Sequence, residues 1–181
     1  MSPQTEETGT GVRQMNKPSS ANVTAAKPNI SGAVSSAALG TTLPTNAKDV
    51  LNAAFETLGY ISQDGLSNEN SPESGEVKAW GGQTVLSSQT DKKDTFKFKL
   101  IESLNINVLK EVYGAENVTG TLATGITVKA NASELPEHVL VVDMILKNGS
   151  MKRIVIPRGK VSGIGEIGYK DGEPVDRKSV V

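Results

Sequence analysis

The chain contains no cysteine and one histidine, and aromatic side chains make up only 4% of its 181 residues. Without cysteine there can be no disulfide, zinc–thiolate centre or thiol nucleophile, and the composition suits a reducing compartment. The single histidine, His138, has no second histidine with which to share a metal. Beside Pro136 and Glu137 at a strand entrance, it reads as a surface residue. No apolar run is long enough to span a bilayer. The opening MSPQTEETGTGVRQ lacks the basic start and apolar stretch of a signal peptide, so a soluble cytoplasmic product is expected. Charge bias is absent too. A net charge of −1 and a pI near 5.9 give no global attraction to nucleic acid or anionic membrane.

Catalytic constellations are equally absent. Asp64, Glu69, Glu73 and Glu76 match a calcium loop in composition but not in spacing. Asp91 and Asp94 flank Lys92 and Lys93 as a charged turn. Gly163 and Gly165 form a GxG with no helix after it. The serines have no histidine–acid partner, so no enzyme activity and no cofactor or metal site is expected. Trp80, followed by Gly81 and Gly82, could stack a sugar or a base. With no basic or aromatic companions around it, it reads instead as a loop anchor that pins a loop to the sheet, the glycines allowing a tight bend.

What is present is glycine, 18 residues of it, and short alternating segments, the signature of a turn-rich β protein. The length fits one domain. Residues 1–29 are polar and poor in large apolar side chains, and read as a flexible arm. A short strand is expected over Ile30–Ala37. A helix capped by Asn46 should follow, with Val50, Leu51, Ala54, Phe55 and Leu58 on one face and Gly59 as its stop. Tyr60–Ser62 starts a strand that leads into a long polar loop over Gln63–Gly75. Phe96, Phe98 and Leu100 alternate with Thr95, Lys97 and Lys99 as a strand with one face in the core. Leu104, Val108, Leu109, Val112 and Tyr113 mark an amphipathic helix ended by Gly114. Strands near Ile126–Ala130, Val139–Lys147 and Met151–Ile156 complete the pattern, the last two joined by the hairpin signal Asn148-Gly149. A further turn is expected at Lys170-Asp171-Gly172. Val139–Lys147 is apolar on both alternating faces, so either the chain's own helix or another protomer must cover the second.

The order of unusual words is more specific than any of these. Leu58–Gly114 holds KAWGG, then a strand ending in LIES, then a helix closing on VYG. NVTGTLATGITVKAN (Asn117–Asn131) and RIVIPRGKV (Arg153–Val161) follow. Together these resemble the major tail tube proteins of long-tailed bacteriophages, over roughly Lys27–Val175. The resemblance implies a mainly β fold, a sandwich or barrel with one flanking helix. It also implies a structural virion protein built in the host cytoplasm, whose hexameric rings stack into the tail tube. Its implied partners are further copies of itself, the tape-measure protein, and the tail terminator and distal tail proteins. DNA would pass through without sequence-specific binding, and no membrane is involved. Exposed sheet edges would then serve ring closure, and subunit contacts would supplement a core low in aromatics. A carbohydrate-binding or adhesin β-sandwich is the alternative, since fold alone does not exclude it.

Two expectations concern segments rather than folds. The acids Asp64, Glu69, Glu73 and Glu76, with no base between Gln63 and Val77, could pair across subunits with the basic run Lys147, Lys152, Arg153, Arg158 and Lys160. Asp176–Val181, at the end of the chain, translates GATCGGAAGAGCGTCGTG, a stretch of a common short-read sequencing adapter whose next three bases are a stop codon. The tube domain is therefore expected over residues 30–175, with 176–181 foreign and a strand missing from the sheet.

Overall fold

The structure is a computed structural model and describes residues 17–167, 169, 171–172, 174–175 and 177–181. In chain order its strands are β1 (Lys27–Pro28), β2 (Val34–Ala38), β3 (Glu56–Thr57), β4 (Ile61–Lys78) and β5 (Thr84–Leu100). Helix α1 (Ile106–Tyr113) comes next, then β6 (Val118–Thr121), β7 (Gly125–Val128), β8 (His138–Ile145), β9 (Met151–Gly159), β10 (Gly163–Ile164) and β11 (Arg177–Val180). The chain is mainly β with one short α-helix.

β8 organises the first sheet. It pairs with β9 along one side, and with β2 and the short β1 along the other, while β3 extends β2. The second sheet runs β10-β11-β5-β4, and β6 and β7 form a separate hairpin. Both larger sheets and α1 feed one core: Val34, Leu140 and Val142 from the first, Phe98 and Leu100 from the second, Val108 and Val112 from the helix. The alternation in β5 is as expected, with Phe98 and Leu100 buried and Phe96 half-buried. Each such side chain withdrawn from water contributes roughly 1.5–3 kcal/mol.

α1 forms for visible reasons. Asn105 Oδ1 accepts the Asn107 N–H at 3.0 Å as an N-cap, and Val108, Leu109 and Val112 fall on one buried stripe. Gly114 ends it at φ +89, its N–H donating to the Lys110 carbonyl at 2.8 Å. Leu104 lies ahead of the helix and is exposed rather than on its buried face. The Asn148-Gly149 hairpin is also present, with both residues at positive φ (62° and 74°) between β8 and β9.

Residues 46–58 differ from expectation: they form no helix. Asn46 does cap, its Oδ1 accepting the N–H groups of Lys48 and Asp49. The Asp49 carboxylate then accepts the Thr45 and Asn46 N–H groups, and Asn52 Oδ1 takes the Ala54 N–H. Side chains that bond nearby amides offer the backbone an alternative to helical turns, and here they win. Val50, expected on the buried face, is exposed. The segment is irregular rather than helical. Arg153 ties it to the outer face of the first sheet by donating to the carbonyls of Asn46 and Asp49. Val139 and Val141 on β8 are 1% exposed within the single chain, so no second protomer is needed to bury them.

The ends also differ. β1 lies inside the expected arm, pairing Lys27 and Pro28 with Ile145 and Met144. The first strand proper starts at Val34, with Ile30 exposed. Arg177–Val180, expected to be foreign, occupies a strand position, pairing with Leu100–Lys97 of β5 on one side and with β10 on the other. In the turn expected at Lys170-Asp171-Gly172, Asp171 and Gly172 are in turn conformation; Lys170 lies outside the described residues.

Candidate functional site

Gln63–Gly75, expected as a loop, is part of the long strand β4. With β5 it forms a two-stranded ribbon that leaves the body beyond Leu66 and Phe98. Almost every residue in 67–78 and 84–94 is exposed. At ~3.3 Å per residue the ribbon reaches about 35–40 Å. Its residues (Ser, Asn, Glu, Pro, Gly) have poor strand propensity, which is why the segment reads as a loop. Polar cross-strand contacts offset this. Lys97 Nζ lies 2.8 Å from Glu69 Oε2, Lys99 Nζ 3.0 Å from Asp64 Oδ2, and Asn70 Nδ2 donates to Asp94. These lysines hold the Asp64 and Glu69 carboxyls below the usual carboxylate range, chiefly by hydrogen bonding. A bulge at Thr90, whose hydroxyl donates to the Glu73 carbonyl at 3.2 Å, shifts the register midway.

Gly82 N–H closes the tip onto the Ala79 carbonyl at 2.9 Å, with Gly81 and Gly82 at φ +109 and +90. Only glycine adopts these values without strain, so the tight bend read from the sequence is real. Trp80 does not play the expected part. Its ring is fully exposed and covers none of the sheet, because the turn that carries it stands at the far end of the ribbon. Val77 and Leu86, direct cross-strand partners, add exposed apolar surface on one face there. Two adjacent glycines between segments of similar length are a hairpin signal. Read that way, the polar stretch before them would have been seen as a strand.

The charged candidates fall into two groups. Asp64 and Glu69 are engaged within the ribbon, and the side chain of Arg153 is largely enclosed in the body. Arg153 Nε meets Asp143 Oδ1 at 2.6 Å and Nη2 meets Oδ2 at 2.9 Å, which raises the guanidinium pKa further. Arg158 pairs with Glu137 and Lys160 with Glu134. Each of these residues thus already has an intramolecular partner within the single chain. Glu73, Glu76 and Lys152 stay exposed, with no ion pair among the described residues, although Glu76 accepts from the Thr84 hydroxyl at 3.3 Å.

The ribbon's base is held firmly. The Glu102 carboxylate accepts the Tyr60 N–H at 2.8 Å and the Asn105 side-chain amide at 2.9 Å. It fills the space a Cβ on Gly59 would need, and Gly59 sits at φ +71. Beside it, Ile101, Leu104, Asn105 and Leu122 line a concavity of about 500 Å³. His138, expected at the surface, is instead half-buried. Its Nδ1 lies 3.0 Å from Oε2 of the buried Glu111, which also accepts the Ser36 hydroxyl at 2.8 Å. That contact raises the His138 pKa above 6.5. The carboxylate stands between serine and imidazole, so the histidine cannot activate the hydroxyl as a nucleophile would require. Among the described residues, no group of three or more His, Cys, Asp or Glu could hold a metal ion, and no helix is long and apolar enough to cross a membrane.

A family model described as phage tail tube protein matches residues 16–174. Comparison with curated proteins and with solved structures finds no match.

Proposed function

The chain belongs to the phage tail tube protein family and is a structural protein of the virion tail, and from that premise we propose that it assembles into stacked hexameric rings forming the conduit for genome delivery. The observation that carries this reading is the ribbon. A two-stranded ribbon alone is marginal in water, and this one exposes both faces and an apolar tip over about 35–40 Å. Such an element suits pairing between subunits, where its open edges become contacts. The partners in this reading are other copies, the tape-measure protein within the tube, and the terminator and distal tail proteins at its ends. The family is structural and not a known enzyme family. In this reading residues 30–175 are the tube domain, the residues before them an arm, and 176–181 foreign to it; the poor fit of Arg177 discussed below supports the last point. Glu73 and Glu76 facing Lys152 of another subunit remain the candidates for charge pairing. Arg153 drops out, because its charge is already matched.

The test is to shorten the ribbon symmetrically. Removing residues 70–75 together with 88–94 deletes six cross-strand pairs and the bulge while keeping Glu69 opposite Thr95 and Glu76 opposite Ser87. The variant should melt like the parent and fail to form rings or tubes in negative-stain images. Normal tubes from the shortened protein would remove the ribbon from the assembly contact.

A further inference from the structure

We propose that the ribbon tip of one copy docks into the concavity at the ribbon base of a second copy, with Trp80 seated between Leu104 and Leu122 and Lys78 beside Glu102. This rests on the tube reading and adds to it a specific pair of surfaces. The two patches are the complementary halves of one contact. Trp80 is wholly exposed, with Val77 and Leu86 beside it, and a cluster of this kind at the end of a projecting element marks a contact site. Leu104 and Leu122 are each about two-thirds exposed and line a shallow, open concavity of about 500 Å³, over which a flat aromatic ring can lie. The base is pre-formed. The Asn105 cap and the two hydrogen bonds to Glu102 fix the segment between β5 and α1, so little ordering cost remains for docking.

The occupant must come from another copy. Pairing between β4 and β5 is continuous from Leu66 opposite Phe98 to Lys78 opposite Thr84, so a chain cannot fold its tip back onto its own base. Tip and base are different patches of the same molecule. Each docking event therefore leaves one free tip and one free base, and the contact propagates into a ring or a stack instead of closing as a dimer. Charge supports the pairing. Lys78 flanks the tip and has no ion pair among the described residues, while Glu102 lines the concavity.

Trp80 is the only tryptophan, and the chain has no cysteine, so the intact protein reports on this contact directly. On assembly its emission should shift to shorter wavelength and acrylamide quenching should fall severalfold. Trp80→Ala and Leu122→Asp, both at exposed positions, should keep the parent's circular dichroism spectrum yet need at least tenfold more protein to assemble. Mixing a Gln83→Cys protein with a Ser103→Cys protein should give an oxidised cross-linked dimer that neither forms alone. If tubes form while Trp80 stays as quenchable as in dilute protein, the inference fails and the tube reading survives. Trp80 protected without the cross-link would mean another surface receives the tip, which also overturns it. A parent chain that never assembles would overturn both.

Discussion

Arg153 on β9 and Arg177 on β11 both hold their guanidinium groups largely out of water, yet their surroundings are opposite. Arg153 is fully matched: its fork meets both oxygens of Asp143, and the remaining donor reaches the carbonyls of Asn46 and Asp49. Arg177, 7% exposed, leaves Nε and Nη1 without a partner among the described residues, and the Oγ of Ser179 two residues on likewise has none among them. The difference lies in what the register places opposite each residue. Asp143 and Arg153 are direct cross-strand partners in a hairpin, so one short piece of sequence encodes both halves of the pair. Arg177 and Ser179 stand opposite Leu100 and Phe98, two core-facing positions. The strand slot between β5 and β10 is thus built for apolar side chains at those two places. A buried donor without an acceptor costs about 1–3 kcal/mol, and more when it is charged.

The sharpest way to break the comparison is to make Arg153 resemble Arg177. Asp143→Ala leaves the largely enclosed Arg153 guanidinium without its counter-charge, holding only the carbonyls of Asn46 and Asp49, and should cost up to about 3–5 kcal/mol, a large share of a total of about 5–15 kcal/mol. Replacing both partners by leucine should cost much less, since no buried charge is then stranded. Urea midpoints at unchanged m-values would measure both. Equal losses from the single and double variants would mean that the pair's charge is not what matters there. The converse change makes β11 resemble a core strand. Arg177→Leu with Ser179→Val should raise stability by about 1–3 kcal/mol. A drop instead would show that the guanidinium finds an acceptor in solution.

The same contrast explains what the sequence could and could not reveal. β5, α1 and the β8–β9 hairpin were readable because their signals are local: alternation at Phe96, Phe98 and Leu100, a cap and stripe from Asn105 to Val112, and Asn148-Gly149 at the turn. Residues 46–58 carried a helical spacing of apolar side chains, but Asp49 and Asn52 satisfy the backbone in another way, and propensity alone cannot settle that competition. The ribbon was hidden for a different reason. Its cross-strand contacts, such as Glu69–Lys97 and Asp64–Lys99, join residues far apart in sequence, and its own residues are poor strand formers. Composition picked out the acidic and basic runs but could not show which of these charges are matched within the chain. Asp64, Glu69 and Arg153 are; Glu73, Glu76 and Lys152 are not.

The smallest expected effect concerns another buried charged residue, Glu111, whose matching is intermediate between those of the two arginines. It is satisfied by Ser36 and by His138, but the second partner carries charge only when protonated. The contact raises the His138 pKa above 6.5, mainly through the hydrogen bond to Glu111 and against the opposing effect of burial. A group whose folded pKa is raised binds its proton more tightly in the native state. Its contribution is therefore complete below the unfolded value near 6.5 and is lost as pH rises through the higher folded value. Lys110 and Glu56 line the same hollow, so neighbouring charges of both signs temper the effect. The melting temperature should fall modestly between about pH 6 and pH 8, by an amount corresponding to less than about 1 kcal/mol. His138→Gln keeps a hydrogen-bond donor but cannot titrate, and should flatten that slope while leaving the stability at pH 8 nearly unchanged. A slope that persists in the variant would assign the titration to another group and leave Glu111 held by Ser36 alone.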